Sequence, residues 1–510
     1  MADPAAPTSS ADPQSQARRG IAAHDTGFFG HPRGLSTLFF TEMWERFSYY
    51  GMRALLILFM TAPIAEGGLG MGTAVAGAIY GLYTSMVYMT TLPGGWIADR
   101  VIGQRRAVLY GGILIACGHF SMAFPSFATF YLGLFLIVIG TGLLKGNVSV
   151  IVGRLYQPGD IRRDSGFSLF YMGINLGAFL SPLVCGYLGQ RINWHVGFAS
   201  AGAGMVIGLI QYVLGAKYLG TAGLYPERPS TPAEGERLKR NTALWGGLAA
   251  AALIVFGVSA FTGLLPVTAN QISDGAGYLL LVVCVGFFGW LFFAGDWTSE
   301  ERKRLYVIGV FFLAASLFWS LFEQAGSTLN LFADRDTATT ILGWHYPSSW
   351  FQSMNSLFIW VFAPVFAWLW LRMGRRQPST TTKFALGEIM VGGGFAVLVV
   401  AARLAQNGVQ VSPMWLTVVY LLHTFGELLV SPVGLSAMTK LAPVRIGGLM
   451  MGVWFLASSV GNFIAGRLAG FYESMPLPRL FTIIAAMGIG AGLLLMPLAR
   501  PVTRMTGDAE

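Results

Sequence analysis

Runs of about 20 or more mostly apolar residues, enough to cross a bilayer, recur along almost the whole chain, and nothing else in the sequence limits the fold so far. Such runs belong in lipid, where backbone polar groups must be satisfied inside each segment, so they are read as helices. Fourteen are expected, over 35–62, 73–98, 104–124, 126–153, 163–190, 195–217, 242–265, 276–296, 304–327, 349–372, 383–404, 413–439, 446–470 and 478–499. The chain is 54% hydrophobic and only 11% charged, whereas soluble domains carry about a quarter charged residues. The fold class is therefore an all-α polytopic membrane protein. The connectors are short except 218–241 and 328–348.

The net charge of +9 is no sign of nucleic acid, because the basic residues sit in short loops on one side. Arg18, Arg19 and Arg33 precede the first span; Arg100, Arg105 and Arg106 follow the second. Arg154, Arg162 and Arg163 follow the fourth, and Lys217, Arg228, Arg237, Lys239 and Arg240 the sixth. Arg302, Lys303 and Arg304, then Arg372, Arg375, Arg376 and Lys383, then Lys440 and Arg445, then Arg500 and Arg504 continue the pattern. The other side has Arg191, Arg335, Arg403, Arg467 and Arg479. Positive loops stay inside, so both termini are expected to be cytoplasmic, with a disordered tail over 1–34 and a cytoplasmic tail over 500–510. Cys117, Cys185 and Cys284 all fall in apolar segments, so neither a disulfide framework nor a metal site is expected.

Charges inside spans are expensive and mark function. The first span carries Glu42, Glu45, Arg46, Tyr49, Tyr50 and Arg53. At ~100° per residue these fall within an arc of about 140°, with Phe47 off it. Lys145 lies in the fourth span, Glu323 in the ninth and Glu427 in the twelfth. Three bases thus face four acids, and an acid left over in a dry cavity is readily protonated.

Three long motifs turn this pattern into a resemblance. Glu42-x-x-Glu45-Arg46-Phe47-x-Tyr49-Tyr50-Gly51 resembles the signature of the proton-dependent oligopeptide transporter family, prokaryotic type. Asp164-x-Gly166-Phe167-x-x-Phe170-Tyr171-x-x-Ile174-Asn175-x-Gly177 resembles its fifth-helix motif, and Phe318-Trp319-x-x-Phe322-Glu323-Gln324-x-Gly326-Ser327 its seventh-helix motif. The stretch from Gly94 to Arg106 resembles the loop between helices 2 and 3 of the major facilitator superfamily, where Asp99 and its arginines could pair. The resemblance covers about 36–499. It implies the major facilitator fold: an N-terminal six-helix bundle over 35–217, a linker with two extra helices over 218–303, and a C-terminal six-helix bundle over 304–499.

The resemblance also implies a function, a proton-coupled symporter importing di- and tripeptides by alternating access. Glu42, Glu45, Arg46 and Glu323 would couple protons. Tyr50, Arg53 and Lys145 would hold the peptide carboxylate; Glu427, Asn175 and Asn355 its amino group. In the sequence Ser356 stands where the family usually has Pro after that Asn. Tyr88, Trp319 and Trp454 would line an adaptable pocket. Arg53 with Glu323, and Lys145 with Glu427, would act as gates. His423 is read as a hydrogen-bonded packing residue. The expected partners are small peptides, protons and the bilayer; the chain is expected to be a monomer in a bacterial inner membrane, with no cofactor and the proton gradient as driving force. A proton-coupled carrier of nitrate, another small anion or a peptide-like compound is the alternative; Glu427 disfavours a lone anion. A membrane enzyme is disfavoured by the absence of HExxH or GxSxG motifs, and a passive channel by the absence of a filter-like repeat.

Overall fold

Alternating short loops make each helix reverse direction, so the chain runs back and forth across one slab. The computed structural model describes residues 25–506 apart from 158, 227–230, 444–445 and 447–448. Arg18, Arg19, Arg228 and Arg445, with 1–24 and 507–510, therefore lie outside the described residues.

The first bundle comprises α1 (Arg33–Thr61), α2 (Thr73–Met89) continued by α3 (Thr91–Ile97), α4 (Gln104–Met122), α5 (Phe127–Arg154), α6 (Arg163–Arg191) and α7 (Trp194–Gly215). Two further helices follow, α8 (Pro232–Phe261) and α9 (Ala269–Gly289). The second bundle comprises α10 (Ser299–Phe322) continued by α11 (Thr328–Arg335), then α12 (Ser353–Met373), α13 (Thr380–Leu404), α14 (Met414–Leu441), α15 (Leu449–Ala469) and α16 (Leu477–Thr506). Counting α2 with α3 and α10 with α11, the described residues form fourteen rods, as expected. Eleven are long and apolar enough to cross a membrane on composition alone. The others are α1, with its internal charges, α2–α3, interrupted at Thr90, and α4, with its basic start.

Several boundaries differ from the expected ones for local reasons. Helix α8 starts ten residues before 242, because the Thr231 side chain accepts from the Glu234 amide and Pro232 occupies the first turn, a favourable start signal. Capping boxes at Thr268 with Gln271 and at Thr298 with Glu301 likewise move α9 and α10 forward. The connector 328–348 is not irregular: it holds α11 and a two-residue hairpin pairing Thr340–Ile341 with Trp344–His345. Within 500–510, the helix α16 continues through Thr506 with Val502 buried.

The 1–34 tail reading fails for 25–34. Asp25 accepts from the amides of Gly27 and Arg33 at 3.1 and 2.9 Å. His31, buried, bonds through Nδ1 to the Tyr156 hydroxyl at 3.0 Å. Burial holds its imidazole below the ordinary value, Arg162 adds to that, and Asp160 opposes it. The segment is thus clamped to the loop after α5.

The two bundles meet most closely at the end away from the basic loops. Gly77 and Gly81 of α2 face Gly466 of α15 and Gly470 just beyond its end; a Cβ on Gly81 would lie 2.8 Å from Gly466 Cα. Small residues let membrane helices approach this closely. Ser85 and Ser459 hydroxyls meet at 2.8 Å in the same seam. A second seam joins α6 to α12, where Ser353 donates to Phe179 O at 2.7 Å and Trp350 Nε1 to Leu183 O at 3.2 Å. Asn330 of α11 donates to Ala54 O of α1 at 2.8 Å. Glu473 closes the edge, taking Arg335 at 2.7 Å and the Thr73 amide at 3.1 Å. Helices α8 and α9 lie outside this arrangement; α9 packs on α2 and forms an Asp274–Arg467 ion pair with α15.

At the basic end the 94–106 loop is held differently from the expected Asp–Arg pairing. Asp99 accepts from Gln104 Nε2 at 2.5 Å, and Gln104 in turn accepts from Arg154 at 2.8 Å. Arg105 instead donates to Ala216 O and Gly220 O, the orphaned carbonyls after α7. A guanidinium is well placed there, at the negative end of a helix dipole.

Candidate functional site

The charged arc of α1 points into the protein, and its members separate into two centres. In the first, Arg46 Nε lies 3.1 Å from Glu42 Oε1 and in close contact with Glu45. All three are at most 4% exposed. Two acids share one base, so the group holds an excess negative charge in a dry place. Lys145 of α5 comes within electrostatic reach of both acids. Its ammonium sits 3.6 Å from the Tyr88 ring centroid, a cation–π contact.

The second centre joins the bundles. Arg53 Nη2 lies 2.6 Å from Glu323 Oε2, and Arg53 Nε donates to the Tyr80 hydroxyl at 2.7 Å. The Tyr50 ring faces the same guanidinium at 5.6 Å. Gly326 makes this fit possible, since a Cβ there would stand 2.6 Å from Arg53 Nε. The end of α10 is accordingly a short 3-10 turn over Glu323–Gly326, which aims Glu323 back at α1.

Between the bundles lies a narrow chamber of about 100 Å³, below the ~300–1,000 Å³ usual for small-ligand sites. Tyr50, Arg53, Tyr88, Trp319, Asn355 and Glu427, which the sequence analysis named for substrate, line it together with Glu323, Gln352, Tyr420 and His423. Opposite Arg53, Glu427 Oε2 accepts from Asn355 Nδ2 at 2.9 Å, and the same amide donates to Thr424 at 3.1 Å. The chamber therefore has a cationic side on α1 and an anionic side on α12 and α14. The Ser356 departure does not prevent α12 from beginning at Ser353.

Three expected binding residues are not among the lining set. Lys145 is turned onto Tyr88 and toward the α1 acids; among the described residues no carboxylate pairs with it, so the Lys145–Glu427 gate is not made in this arrangement. Asn175 gives its amide to Tyr171 O of its own helix at 3.0 Å, and Asn355 is the partner of Glu427. Trp454 stands behind Trp319, edge to face at 6.2 Å, and shapes the wall indirectly.

His423 packs on Phe322 and Phe395 with the Val391 backbone as its hydrogen-bond partner, as expected, and also lines the chamber. Tyr80, which orients Arg53, was invisible to the motif reading because nothing in an aromatic-rich span marks one tyrosine. Glu388 of α13 was missed although a signal existed, a lone acid within the apolar run from Phe384 to Ala402.

The geometry has counterparts among known proteins. A profile of the POT family matches residues 105–483. A peptide transporter, YePEPT, from Yersinia enterocolitica is 42% identical over 501 residues, covering 95% of this chain and 97% of that protein. A di-/tripeptide transporter from Lactococcus lactis is 38% identical over 496 residues, covering 95% and 98%. The crystal structure of a peptide transporter POT in complex with sulfate superposes with a TM-score of 0.90 at 42% identity, over 97% of this chain and 99% of that one. Sequence and fold agree over nearly the full length: the chain belongs to the POT family, within the major facilitator fold.

Proposed function

We propose that the protein is a proton-coupled symporter that carries di- and tripeptides into the cell by alternating access. The observation that carries this reading is a chamber with opposed fixed charges, Arg53 on one bundle and Glu427 with Asn355 on the other. A small peptide is a zwitterion, and its carboxylate and ammonium need such poles, with polar groups between them. Relatives that span the same length are peptide transporters. A lone anion such as nitrate has no use for Glu427, which disfavours the anion alternative. Nothing in this cycle makes or breaks a covalent bond of the peptide, so the protein acts as a carrier and not as an enzyme, and it needs no cofactor beyond the proton gradient.

The mechanism follows from which groups compete for Arg53. With the chamber facing outward, a proton reaches Glu323 or the Glu42–Glu45 pair. Neutral Glu323 no longer holds Arg53, which meets the peptide carboxylate, with Tyr50 beside it. Glu427 and Asn355 take the ammonium. The bundles rock closed along the glycine seam of α2 and α15, the proton moves to the cytoplasmic side, and Arg53 returns to Glu323. Lys145 is free to swing from Tyr88 toward Glu427 as the inner gate. The basic loops place both termini in the cytoplasm, and a monomer in a bacterial inner membrane suffices. One charge crossing 100 mV gains ~2.3 kcal/mol, roughly 50-fold accumulation.

The test is uptake by the purified protein in liposomes under an imposed pH gradient and potential. A labelled dipeptide should accumulate and labelled nitrate should not; accumulation of nitrate alone, or peptide entry indifferent to the gradient, would refute the proposal.

A further inference from the structure

Where α12 ends, α13 begins and α16 ends, the chain carries Arg372, Arg376, Lys383, Arg500 and Arg504 with few acids to answer them. Between Asp336 and Glu388, and between Glu473 and Asp508, the sequence has no acid at all. Glu388 is fully buried well inside α13, and Asp508 lies outside the described residues. Helix α10, which packs on both α13 and α16, starts with two acids that are already engaged. Glu300 pairs with Lys303 at 3.0 Å, and Glu301 closes the Thr298 capping box. None of the ion pairs among the described residues involves Arg500 or Arg504.

Those two arginines line an open groove of about 570 Å³ between the start of α13 and the end of α16. One wall is a stripe of α16 in which Met496, Ala499, Arg500, Thr503 and Arg504 recur at the three- and four-residue steps that share a helix face. The other wall is Ser379 and Thr382, whose hydroxyls meet at 3.0 Å at the cap of α13. Helix α16 runs toward the basic end, so Met496 and Ala499 form the deeper, apolar part of the groove and the arginines its mouth. The depth is that of lipid headgroups. Leu493, Leu494 and Leu498, just before and beside the groove, are exposed, as lipid-facing residues are. At the end of α12, the Trp368 ring carries Arg372 at 5.3 Å and the Trp370 ring carries Lys383 of α13 at 4.4 Å. Tryptophans of this kind mark the membrane–water boundary, and Lys383 ties that level to the first turn of α13.

We propose that this groove binds the phosphate of an anionic phospholipid in the leaflet on the basic side. A guanidinium presents a planar fork of donors that matches phosphate oxygens, and here two of them stand one turn apart on one helix face. The hydroxyls of Ser379, Thr382 and Thr503 offer further polar contacts to the headgroup, and an acyl chain follows Met496 and Ala499 into the membrane. A free phosphate ion has no use for that apolar part, which favours the lipid. Orienting the chain in the membrane needs only basic residues in loops, whereas these arginines are held on a helix beside a groove. Basic pockets between membrane helices suit anionic headgroups. No residue of α13 or α16 lines the chamber, so the site is separate from the transport reading.

The test uses the full-length protein in detergent, as wild type and with Arg500→Gln and Arg504→Gln combined. Native mass spectrometry follows titrations with dioleoyl phosphatidylglycerol, dioleoyl phosphatidylcholine and inorganic phosphate, each added separately. The wild type should bind phosphatidylglycerol more tightly than phosphatidylcholine. The double variant should bind phosphatidylglycerol about 30-fold more weakly, the loss expected for two charges at a lipid surface, with phosphatidylcholine unchanged. Phosphatidylglycerol should also raise the melting temperature of the wild type more than that of the variant. If the double variant does not fold, Arg504→Gln alone, on the exposed last turns of α16, should weaken binding about fivefold. Equal phosphatidylglycerol affinity in wild type and variant overturns the proposal, and so does inorganic phosphate that binds as tightly as the lipid. Asp508→Asn with Glu510→Gln should leave the affinity unchanged; a gain comparable with the arginines' loss would make the chain's own acids the occupant and overturn the lipid assignment. Binding is read directly, so a failure of peptide uptake would count against the symport reading and leave this site to its own titration.

Discussion

Replacing Glu323 by Gln tests the link between one ion pair and the direction in which the chamber opens. The pair with Arg53 spans the two bundles at 2.6 Å, with both side chains 5% exposed. Removing one member of a buried pair costs ~3–5 kcal/mol. Arg53 keeps its bond to Tyr80 and the Tyr50 ring, which offset part of this, so the low end, about 3 kcal/mol, is the reasonable value. At ~1.4 kcal/mol per tenfold, that shifts the equilibrium between the two facing states by roughly 100-fold, away from the one seen here. Spin labels at Ile64 and Leu342, 75% and 102% exposed and carried by different bundles, would report it after Cys117, Cys185 and Cys284 are replaced. The distance distribution should lengthen in Glu323→Gln at neutral pH, and the wild type should approach it when acidified. Identical distributions in the two proteins at every pH would refute the reasoning.

Glu45→Gln leaves Arg46 with Glu42 alone, so gradient-driven accumulation should be lost while peptide counterflow persists; accumulation at the wild-type level would remove Glu45 from the coupling. Gly81→Val pushes a branched side chain onto Gly466 Cα, where even a Cβ would be 2.8 Å away, and overpacking costs ~1–3 kcal/mol. It should lower the melting temperature in detergent and lengthen the Ile64–Leu342 distance; no change in either would show that the seam is loose. The pH dependence of the N-terminal clamp follows from His31, whose imidazole is held low by burial and by Arg162. A lowered folded-state pKa means a contribution fully present above the ordinary value near 6.5 and lost as pH falls through the folded value. Amide exchange over 27–36, corrected for intrinsic pH effects, should therefore be less protected at pH 5 than at pH 7.5; equal protection would clear His31 of that role.

What the sequence determined by itself was the solvent and the spacing. Apolar runs of spanning length leave the backbone only helices, and a basic excess in alternate loops sets their direction, so fourteen rods were legible without coordinates. The α1 arc was legible as well, because helical periodicity is local and Glu42, Glu45, Arg46, Tyr49, Tyr50 and Arg53 lie within three turns. Helix starts such as Pro232 were misjudged, since caps depend on a side chain reaching a particular amide. Which charges meet depended on packing between residues far apart in the chain. Arg53 finds Glu323 only because Gly326 leaves room and Tyr80 turns the guanidinium. Lys145 leaves Glu427 for the Tyr88 ring, and Asn355, not Asn175, answers Glu427. His423 and Glu388 make the same point, since the backbone that each of them meets, Val391 and Phe318, belongs to a neighbouring helix, which only the tertiary structure brings close.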